Sequence, residues 1–342
     1  MSRPRVSVIV STYARPRALQ LVLEGYSRSH FQDFELVVAD DGSTDETARV
    51  VEDFSRQSPF LVKHVWQPHR GFRLAAARNL AVRAAEGGVL VFTDGDCIPF
   101  PDALSWHAER CGPLRAQAGN RCLLSEEETE SLLAGRDDPS AISAAVRRRE
   151  RSRLLRLKRR NRFYSVTGWK ARPKLLTANA AVHREDFDRA NGFDERFVGW
   201  GFEDEDLARR LRCLGVQVLD ATLESLMIHL FHPVEESHRP SARSGENYRY
   251  FKQGVFLLQP LKGLHSRAVE ALPLELAGEI PPALAPLKPP AGTAAVTPEV
   301  SLVFGKRRLF APRLRGEVQL HFSTGREPQT PGELYDALRE RL

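Results

Sequence analysis

The stretch that decides the fold is "VLVFTDGDC", residues 89–97, where apolar and β-branched residues lead directly into two carboxylates separated by one glycine. A short apolar run that ends in turn residues is typical of a strand buried on both faces. Asp94 and Asp96 would then lie at the carboxyl end of that strand. Ligands of open α/β sheets bind at this edge, so the two aspartates are candidates for a functional site.

The segments before it alternate between strand and helix signals. "VSVIVS" (6–11) and "FELVVADDGSTD" (34–45) have the pattern of buried strands, and helical periodicity follows each of them. A further helical segment, "LAAARNLAVRAAEG" (74–87), precedes the opening stretch. This alternation predicts an α/β fold: a doubly wound, Rossmann-like, mostly parallel sheet flanked by helices, with right-handed crossovers that bring the strand carboxyl ends to one edge.

Polar residues follow three of these strands. Each group alone is more often turn chemistry than a site, because Asp-Gly and Asp-Asp-Gly-Ser sequences are common in turns. Together, however, several carboxylates at one edge repel one another unless a cation is present. Mg²⁺ and Mn²⁺ prefer oxygen ligands and leave positions open for substrate phosphates, which indicates a nucleotide diphosphate. We expect Asp96 to bind the metal and Asp94 to face a ribose or the metal's waters. The groups are Ser11, Thr12 and Tyr13; Asp40 and Asp41; and Asp94 and Asp96.

The amino-acid composition is typical of a globular protein. The 342 residues are 42% apolar and 27% charged, with a net charge of +6 and a pI near 9.3, which suits one large domain with an appendage. The four cysteines show no C-x-x-C spacing, which favours a reducing compartment. No apolar run approaches the roughly 18 to 20 residues of a membrane helix. A signal-peptide pattern is also absent, so the sequence predicts a cytoplasmic protein, with peripheral contact at the inner face of the membrane as an alternative.

Five motifs in order give the chain a resemblance to a known family: "VSVIVSTYARP", "ELVVADDGSTD", "GFRLAAARN", "VFTDGDC" and "GWGFEDEDLARRL". Over roughly residues 5–235 the chain resembles a family 2-like inverting glycosyltransferase with the GT-A fold. The last motif is also similar to the Gly-Trp-Gly-x-Glu-Asp stretch of inverting galactosyl-, N-acetylgalactosaminyl- and chondroitin-type transferases. The resemblance implies transfer of a sugar from a nucleotide diphosphate donor, a UDP-sugar, to a hydroxyl of a glycan or glycoconjugate, with Mn²⁺ or Mg²⁺ as cofactor.

The resemblance also implies roles for individual residues. Asp204 matches the catalytic base, and His232 before Pro233 matches a metal ligand beside Asp96, with His229 as the alternate. Asn179 is a candidate sugar contact. The implied nucleotide-binding residues are Ser11, Thr12, Tyr13, Arg15, Asp41, Arg73, Arg78 and Asp94.

The acidic motif itself admits a simpler reading. Acidic residues in the first turn of a helix, here residues 203–206, are favoured by the helix dipole in any protein, and two of them can pair with Arg209 and Arg210. Trp200 between two glycines is nevertheless a natural platform for a sugar ring. Transfer needs a carboxylate that accepts the proton of the attacking hydroxyl, which favours Asp204 as base. Glu203 is then expected to bind the acceptor hydroxyl, and Gly201 to belong to the sugar site with Trp200.

Residues 147–162, "RRRERSRLLRLKRRNR", are densely basic and lie within an insertion of about 136–164. A solvated or mobile segment is the commonest reading; docking on an anionic membrane surface or an acidic polysaccharide is the alternative. Nucleic acid is not expected, because the run lacks aromatic residues for base stacking. We expect a glycosyltransferase domain over 1–265, a Pro/Ala-rich linker over 266–298 and a small appendage over 299–342.

Two other classes of function remain open at this point. One is a nucleotidyltransferase-type enzyme that makes nucleotide sugars, although no glycine-rich, lysine-containing phosphate loop follows the first strand. The other is a non-catalytic protein that binds glycans or nucleic acid through the basic segment. The donor sugar, the acceptor, the linkage and the oligomeric state do not follow from the sequence.

Overall fold

The computed structural model describes residues 3–168, 173–233, 245–253, 257–272, 274–278, 281–287, 300–304, 318–322, 328 and 330–341. In chain order the strands are β1 (Val6–Thr12), β2 (Phe34–Asp40), β3 (Val62–Trp66), β4 (Val89–Asp94), β5 (Cys97–Pro99), β6 (Arg115–Ala118), β7 (Asn120–Leu123), β8 (Asn179–His183), β9 (Gln217–Asp220), β10 (Leu226–His229), β11 (Leu274–Gly278), β12 (Val300–Phe304) and β13 (Val318–Phe322). The α-helices are α1 (Pro16–Ser27), α2 (Asp45–Gln57), α3 (Leu74–Ala84), α4 (Ala103–Arg110), α5 (Glu126–Leu133), α6 (Pro139–Thr167), α7 (Arg184–Arg189), α8 (Glu203–Cys213), α9 (Glu246–Gln253) and α10 (Pro331–Arg341).

A seven-stranded sheet forms the core, in the order β3-β2-β1-β4-β8-β6-β9. Strands β1 to β4 run parallel to one another, β8 is antiparallel to β4 and β6, and β6 is parallel to β9. The predicted α/β fold with a mostly parallel sheet is confirmed. The register pairs Ser11 with Asp94 and Thr12 with Asp40, so the polar ends of β1, β2 and β4 meet at one edge.

Helices cover both faces of this sheet. On one face Leu19 and Leu23 of α1 belong to the same apolar cluster as Val8 of β1. On the other face Leu207 and Leu211 of α8 belong to the same cluster as Ile9. The alternation of β1 side chains between the two clusters explains why the strand is apolar on both faces. Cys97, Cys111 and Cys122 are buried and all four cysteines are free, as expected for small apolar residues.

A second sheet, in the order β5-β10-β7, brings the metal-site candidates together. In its antiparallel β5–β10 pair, His229 lies opposite Cys97, the residue that follows Asp96 in the sequence. On the other side, a Cβ at position 95 would lie only 3.0 Å from the carbonyl oxygen of Ser11, which is a tight contact. The backbone N–H of Gly95 instead donates to that oxygen at 2.7 Å. The glycine between the two aspartates therefore allows the end of β1 to approach closely.

The basic segment 147–162 forms most of α6, a 29-residue helix. Its first turn is capped by Asp138, and it ends before Gly168, whose φ is +66°. Val146, Leu154 and Asn161 are buried on one face of the helix. The segment is thus a helix with a packed face and an arginine-rich exposed face, whereas the sequence pattern favoured a solvated or mobile insertion. Charge density concealed the spacing of seven to eight residues between the buried positions.

The C-terminal third contributes a third sheet, in which β11, β12 and β13 are parallel. Strand β11 lies within residues 266–298, so part of the predicted linker is a strand paired with the C-terminal segment. Leu274 and Leu284 share an apolar cluster with Leu334 and Leu338 of α10, which explains why this Pro/Ala-rich stretch is not a simple spacer. Among the described residues, no helix combines the length and apolarity needed to cross a bilayer.

Candidate active site

A cavity of about 540 Å³ opens at the carboxyl edge of β1, β2 and β4. It collects most of the residues that the sequence assigned to a site, from elements far apart in the chain. Of these, the lining includes Ser11, Thr12, Tyr13, Arg15, Asp41, Arg78, Asp94, Asp96, Trp200, Glu203, Asp204, His229 and His232.

Asp96 and two histidines form a cluster suited to a metal ion. The Asp96 carboxylate lies 3.7 Å from His229 Nε2 and 3.4 Å from His232 Nε2. One ligand atom from each residue lies within 4.8 Å of the others. Burial lowers the pKa of His229 and favours the neutral imidazole, the form that coordinates a metal. The structure thus brings His232 and its alternate His229 to the same carboxylate.

The chemistry of this donor set fits a divalent cation. Arg15 Nη1 donates to Asp96 Oδ2 at 3.0 Å, so a positive charge already lies against this carboxylate. Asp94, Asp96 and Cys97 form an overlapping group. Burial raises the pKa of the Cys97 thiol well above its usual range, and the two aspartates add to the shift. A protonated thiol is a poor metal ligand, so the carboxylate and the two imidazoles are the better set, and the imidazole nitrogens favour Mn²⁺ over Mg²⁺.

The side chain of Arg78, which lies in α3, contacts residues from three other elements around the cavity. Its side chain is about 1% exposed. Nε donates to Ser11 Oγ at 3.0 Å, Nη2 to Asp94 Oδ1 at 3.0 Å and Nη1 to Asp204 Oδ1 at 3.4 Å. The planar guanidinium therefore fixes the end of β1, the end of β4 and the start of α8 relative to one another.

Asp204 is oriented by a residue that the sequence analysis missed. The backbone N–H of Thr177 donates to Asp204 Oδ2 at 3.0 Å, and the Thr177 hydroxyl donates to Oδ1. Burial raises the pKa of Asp204, while Arg78 and Thr177 act in the opposite direction. No local pattern marks Thr177, because its role depends on the approach of a loop to the first turn of α8.

The adjacent Glu203 has a different environment. Burial, with the neighbouring charge of Asp204, raises the pKa of Glu203 to about 8. Its Oε2 atom is buried and has no hydrogen-bond partner among the described residues. Two adjacent buried carboxyl groups do not both ionise readily. Asp204 receives the hydrogen-bond donors, which favour ionisation of Asp204 over that of Glu203.

The loop before α8 is held by a second residue that the sequence did not identify. Gly199 and Gly201 have φ values of +82° and +93°, and Phe202 has the unusual φ of +75°. The Asn247 side-chain amide in α9 donates to the carbonyl oxygens of Gly199 at 3.3 Å and Gly201 at 3.0 Å. Trp200, about 41% exposed, is thereby presented to the cavity. Gly201 contributes this backbone geometry and does not line the cavity.

The end of the cavity near β1 has a flat aromatic wall. Tyr13 stacks on His69, with ring centroids 4.3 Å apart and an interplanar angle of 11°. Asp41 accepts from the Gln67 side chain at 2.6 Å and from the backbone N–H of Arg73 at 2.7 Å. A stacking surface beside a fixed carboxylate is an arrangement that holds a base and its hydrogen-bond donors.

Besides Gly201, two predicted site residues do not reach the cavity. The Arg73 side chain donates to the Pro68 carbonyl oxygen at 2.7 Å and lies outside the lining. Asn179 is also outside it and is about 2% exposed. Its amide donates to two backbone carbonyls and accepts from His107 Nε2 at 2.8 Å, so no hydrogen-bonding capacity is left for a sugar. Asn179 therefore connects β8 to its neighbours, and its assignment as a sugar contact is corrected.

Arg121 of β7 is a further cavity residue without a signal in the sequence. Burial disfavours its charged form, but Cys97, Asp94 and Asp96 outweigh that effect and raise its pKa. The cavity thus places Arg15, Arg78 and Arg121 around the two aspartates.

The mostly parallel sheet and the aspartate pair at its carboxyl edge have the arrangement expected of the GT-A fold. Residues 7–112 match the family model described as glycosyl transferase family 2, and residues 160–233 match that of the N-terminal domain of galactosyltransferase. Residues 7–112 therefore form a glycosyl transferase family 2 region.

Individual relatives agree with this family. The chain is 32% identical over 255 residues to a validoxylamine A glucosyltransferase of Streptomyces hygroscopicus subsp. jinggangensis, covering 70% of this chain and 58% of the relative. It is 25% identical to the chondroitin synthase of Escherichia coli, covering 71% of this chain and 37% of that protein. This chain thus spans about half or less of the length of these two relatives. A Pyrobaculum calidifontis mannosyltransferase structure with GDP-Man and Mn²⁺ is 24% identical, with a TM-score of 0.48 over 70% of this chain and 60% of that one.

Proposed function

We propose that the chain catalyses metal-dependent, inverting transfer of a sugar from a UDP-sugar to a hydroxyl of a glycan or glycoconjugate. One observation carries the proposal: the Asp96–His229–His232 cluster and the buried base candidate Asp204 line the same cavity. A protein that only binds glycans has no need of a buried carboxylate aimed by three donors. The inverting assignment rests on Asp204 acting as a base on the acceptor hydroxyl, which suits a one-step displacement.

The donor is proposed to lie along the sheet edge. Its base stacks on Tyr13, and Asp41 accepts its hydrogen bonds. Its diphosphate lies near Asp96, where Arg15 and Arg78 provide positive charge. Mn²⁺ or Mg²⁺ held by Asp96, His229 and His232 would neutralise charge on the leaving diphosphate.

The acceptor side is formed by α8 and the loop before it. Asp204 accepts the proton of the attacking hydroxyl, with its carboxylate oriented by Thr177 and Arg78. Protonated Glu203 donates a hydrogen bond to an acceptor oxygen from Oε2, while its Oε1 lies 3.7 Å from Arg78 Nη1. Trp200 provides an apolar face for a sugar ring.

The test is release of nucleotide diphosphate from a panel of UDP- and GDP-sugars, with and without acceptor glycans, in Mn²⁺, Mg²⁺ or EDTA. We expect UDP release that requires the metal and is lost in a His229→Ala/His232→Ala variant. His30→Ala changes an exposed histidine outside the cavity and is the matched control. The anomeric configuration of the product, read by NMR, is expected to be inverted. Turnover unaffected by EDTA, or retention of configuration, would contradict the proposal.

A further inference from the structure

A second cavity of about 250 Å³ adjoins the first. The two share Arg121 and Leu176, and Leu176 immediately precedes Thr177, the residue that orients Asp204. A molecule in the second cavity is therefore next to the proposed acceptor side of the reaction cavity. The second cavity lies between α6, β7 and the segment around Lys174.

The charge of this cavity is of one sign. Its described lining contains the cations Arg121, Arg153, Arg160 and Lys174 and no carboxylate. Arg153 is paired with Glu150 at 2.6 Å, and Lys174 with Glu205 at 2.8 Å. Arg160 makes no ion pair or side-chain hydrogen bond with any residue in the described part of the chain.

Arg160 is thus the cation of this lining whose charge no described carboxylate balances, and an anion bound in the cavity would balance it. Arg153 and Arg160 of α6 and Lys174 all line this one cavity. Arginine and lysine side chains at this spacing are suited to an oxyanion, which accepts charge-assisted hydrogen bonds from several donors.

The lining also contains an unsatisfied hydrogen-bond acceptor. Asn161 is about 4% exposed, and its Nδ2 donates to Asp220 Oδ1 at 2.9 Å. Its Oδ1 atom is buried without a hydrogen-bond partner in the described structure. Leaving such an acceptor unpaired is costly, and a ligand hydroxyl would satisfy it. Cations together with a hydroxyl acceptor fit a saccharide that carries an anionic group.

We propose that the second cavity is an acceptor subsite for an acidic saccharide, a sugar unit with a carboxylate or a phosphate. The oxyanion binds Arg160 and Lys174, and a hydroxyl of the same unit donates to Asn161. The adjoining part of the acceptor enters the reaction cavity past Leu176 towards Asp204. This inference rests on the proposed glycosyl transfer and specifies which acceptors the enzyme selects.

The test is calorimetric binding of a glucuronic-acid-containing oligosaccharide to the full chain without donor, compared with its carboxyl-reduced counterpart. We expect the acidic form to bind more tightly, and Arg160→Gln to weaken it by about threefold to tenfold while leaving the neutral form unchanged. Arg160→Lys should retain part of the difference. Arg159→Gln removes an exposed charge from the same helix outside the cavity, and it is the control for general loss of positive charge.

A phosphate-bearing oligosaccharide distinguishes recognition of a phosphate from recognition of a carboxylate. If it binds more tightly than the uronate and is equally sensitive to Arg160→Gln, phosphate is the group recognised. Equal binding of acidic and neutral forms, or an equal loss in Arg159→Gln, would overturn the subsite. Failure of metal-dependent UDP release, with the binding pattern intact, would overturn the proposed function alone.

Discussion

We expect the hydrogen bonds from Thr177 to Asp204 to set the pH dependence of the reaction. Thr177 is fully buried, and its hydroxyl and backbone N–H both donate to the Asp204 carboxylate. The proposed base is active only when ionised, so the rate should fall as the pH drops through the pKa of Asp204. Burial raises that pKa and Thr177 opposes the rise. Removing the hydroxyl must therefore move the acidic limb of the rate profile to higher pH.

The size of the shift follows from the bond that is lost. A hydrogen bond to a charged group contributes about 1.5–3 kcal/mol, and one pH unit corresponds to about 1.4 kcal/mol. Thr177→Val keeps the volume and the backbone N–H, and Arg78 still contacts the carboxylate. We therefore expect the lower end of this range, a shift of the acidic limb by about one pH unit.

The assay is kcat/KM for UDP-sugar and acceptor from pH 5 to 9 for wild type, Thr177→Val and Thr177→Ser. Thr177→Ser retains the hydroxyl and should have the wild-type profile. Thermal melting separates a change in the site from a loss of folded protein. An acidic limb of Thr177→Val that superimposes on that of wild type would show that Asp204 is not the ionising base, or that Thr177 does not orient it.

Three further predictions concern other parts of the molecule. Because the pKa of Glu203 is raised to about 8, its ionisation should produce an alkaline limb near that pH, and a pH–rate profile of Glu203→Gln should lack it. Tyr13→Ala should weaken UDP binding by about tenfold in calorimetry through loss of base stacking, whereas Tyr13→Phe should bind normally. In denaturant titrations, Leu154→Ala should lower the free energy of unfolding by about 2–4 kcal/mol, because this α6 side chain is buried. Val166→Ala, on the exposed face of the same helix, should change it by less than about 0.5 kcal/mol.

Much of the sheet was predictable because its signals are local. Apolar runs on both faces identify β1, β2 and β4, and helical periodicity identifies the crossovers between them. Parallel strands with crossovers must present their carboxyl ends at one edge, so the meeting of Asp41, Asp94 and Asp96 follows from topology alone. The motif resemblance then indicated Asp204, which the structure brings to the same cavity from α8.

Residues that act through tertiary contacts were not predictable in this way. Thr177 contacts α8, and Asn247 contacts the loop before it, from segments with no periodic signal. Arg121 lies in β7, and only the folded structure brings it close enough for Asp94 and Asp96 to raise its pKa. Asn179 has the composition of a sugar contact, but neighbouring strands consume its amide. The packing of the basic run was not predictable for a related reason: it depends on the buried Leu154, which contributes little to the charge pattern.

The central claim is that one cavity holds a metal-bound donor diphosphate opposite the base Asp204. It is tested most directly by measuring Mn²⁺-dependent UDP binding and sugar transfer in the same preparation of Asp204→Asn. The substitution keeps the size of the side chain and removes its ability to accept the proton. We predict UDP and Mn²⁺ binding close to that of wild type, with transfer reduced by at least about a hundredfold. Transfer at the wild-type rate would contradict the account.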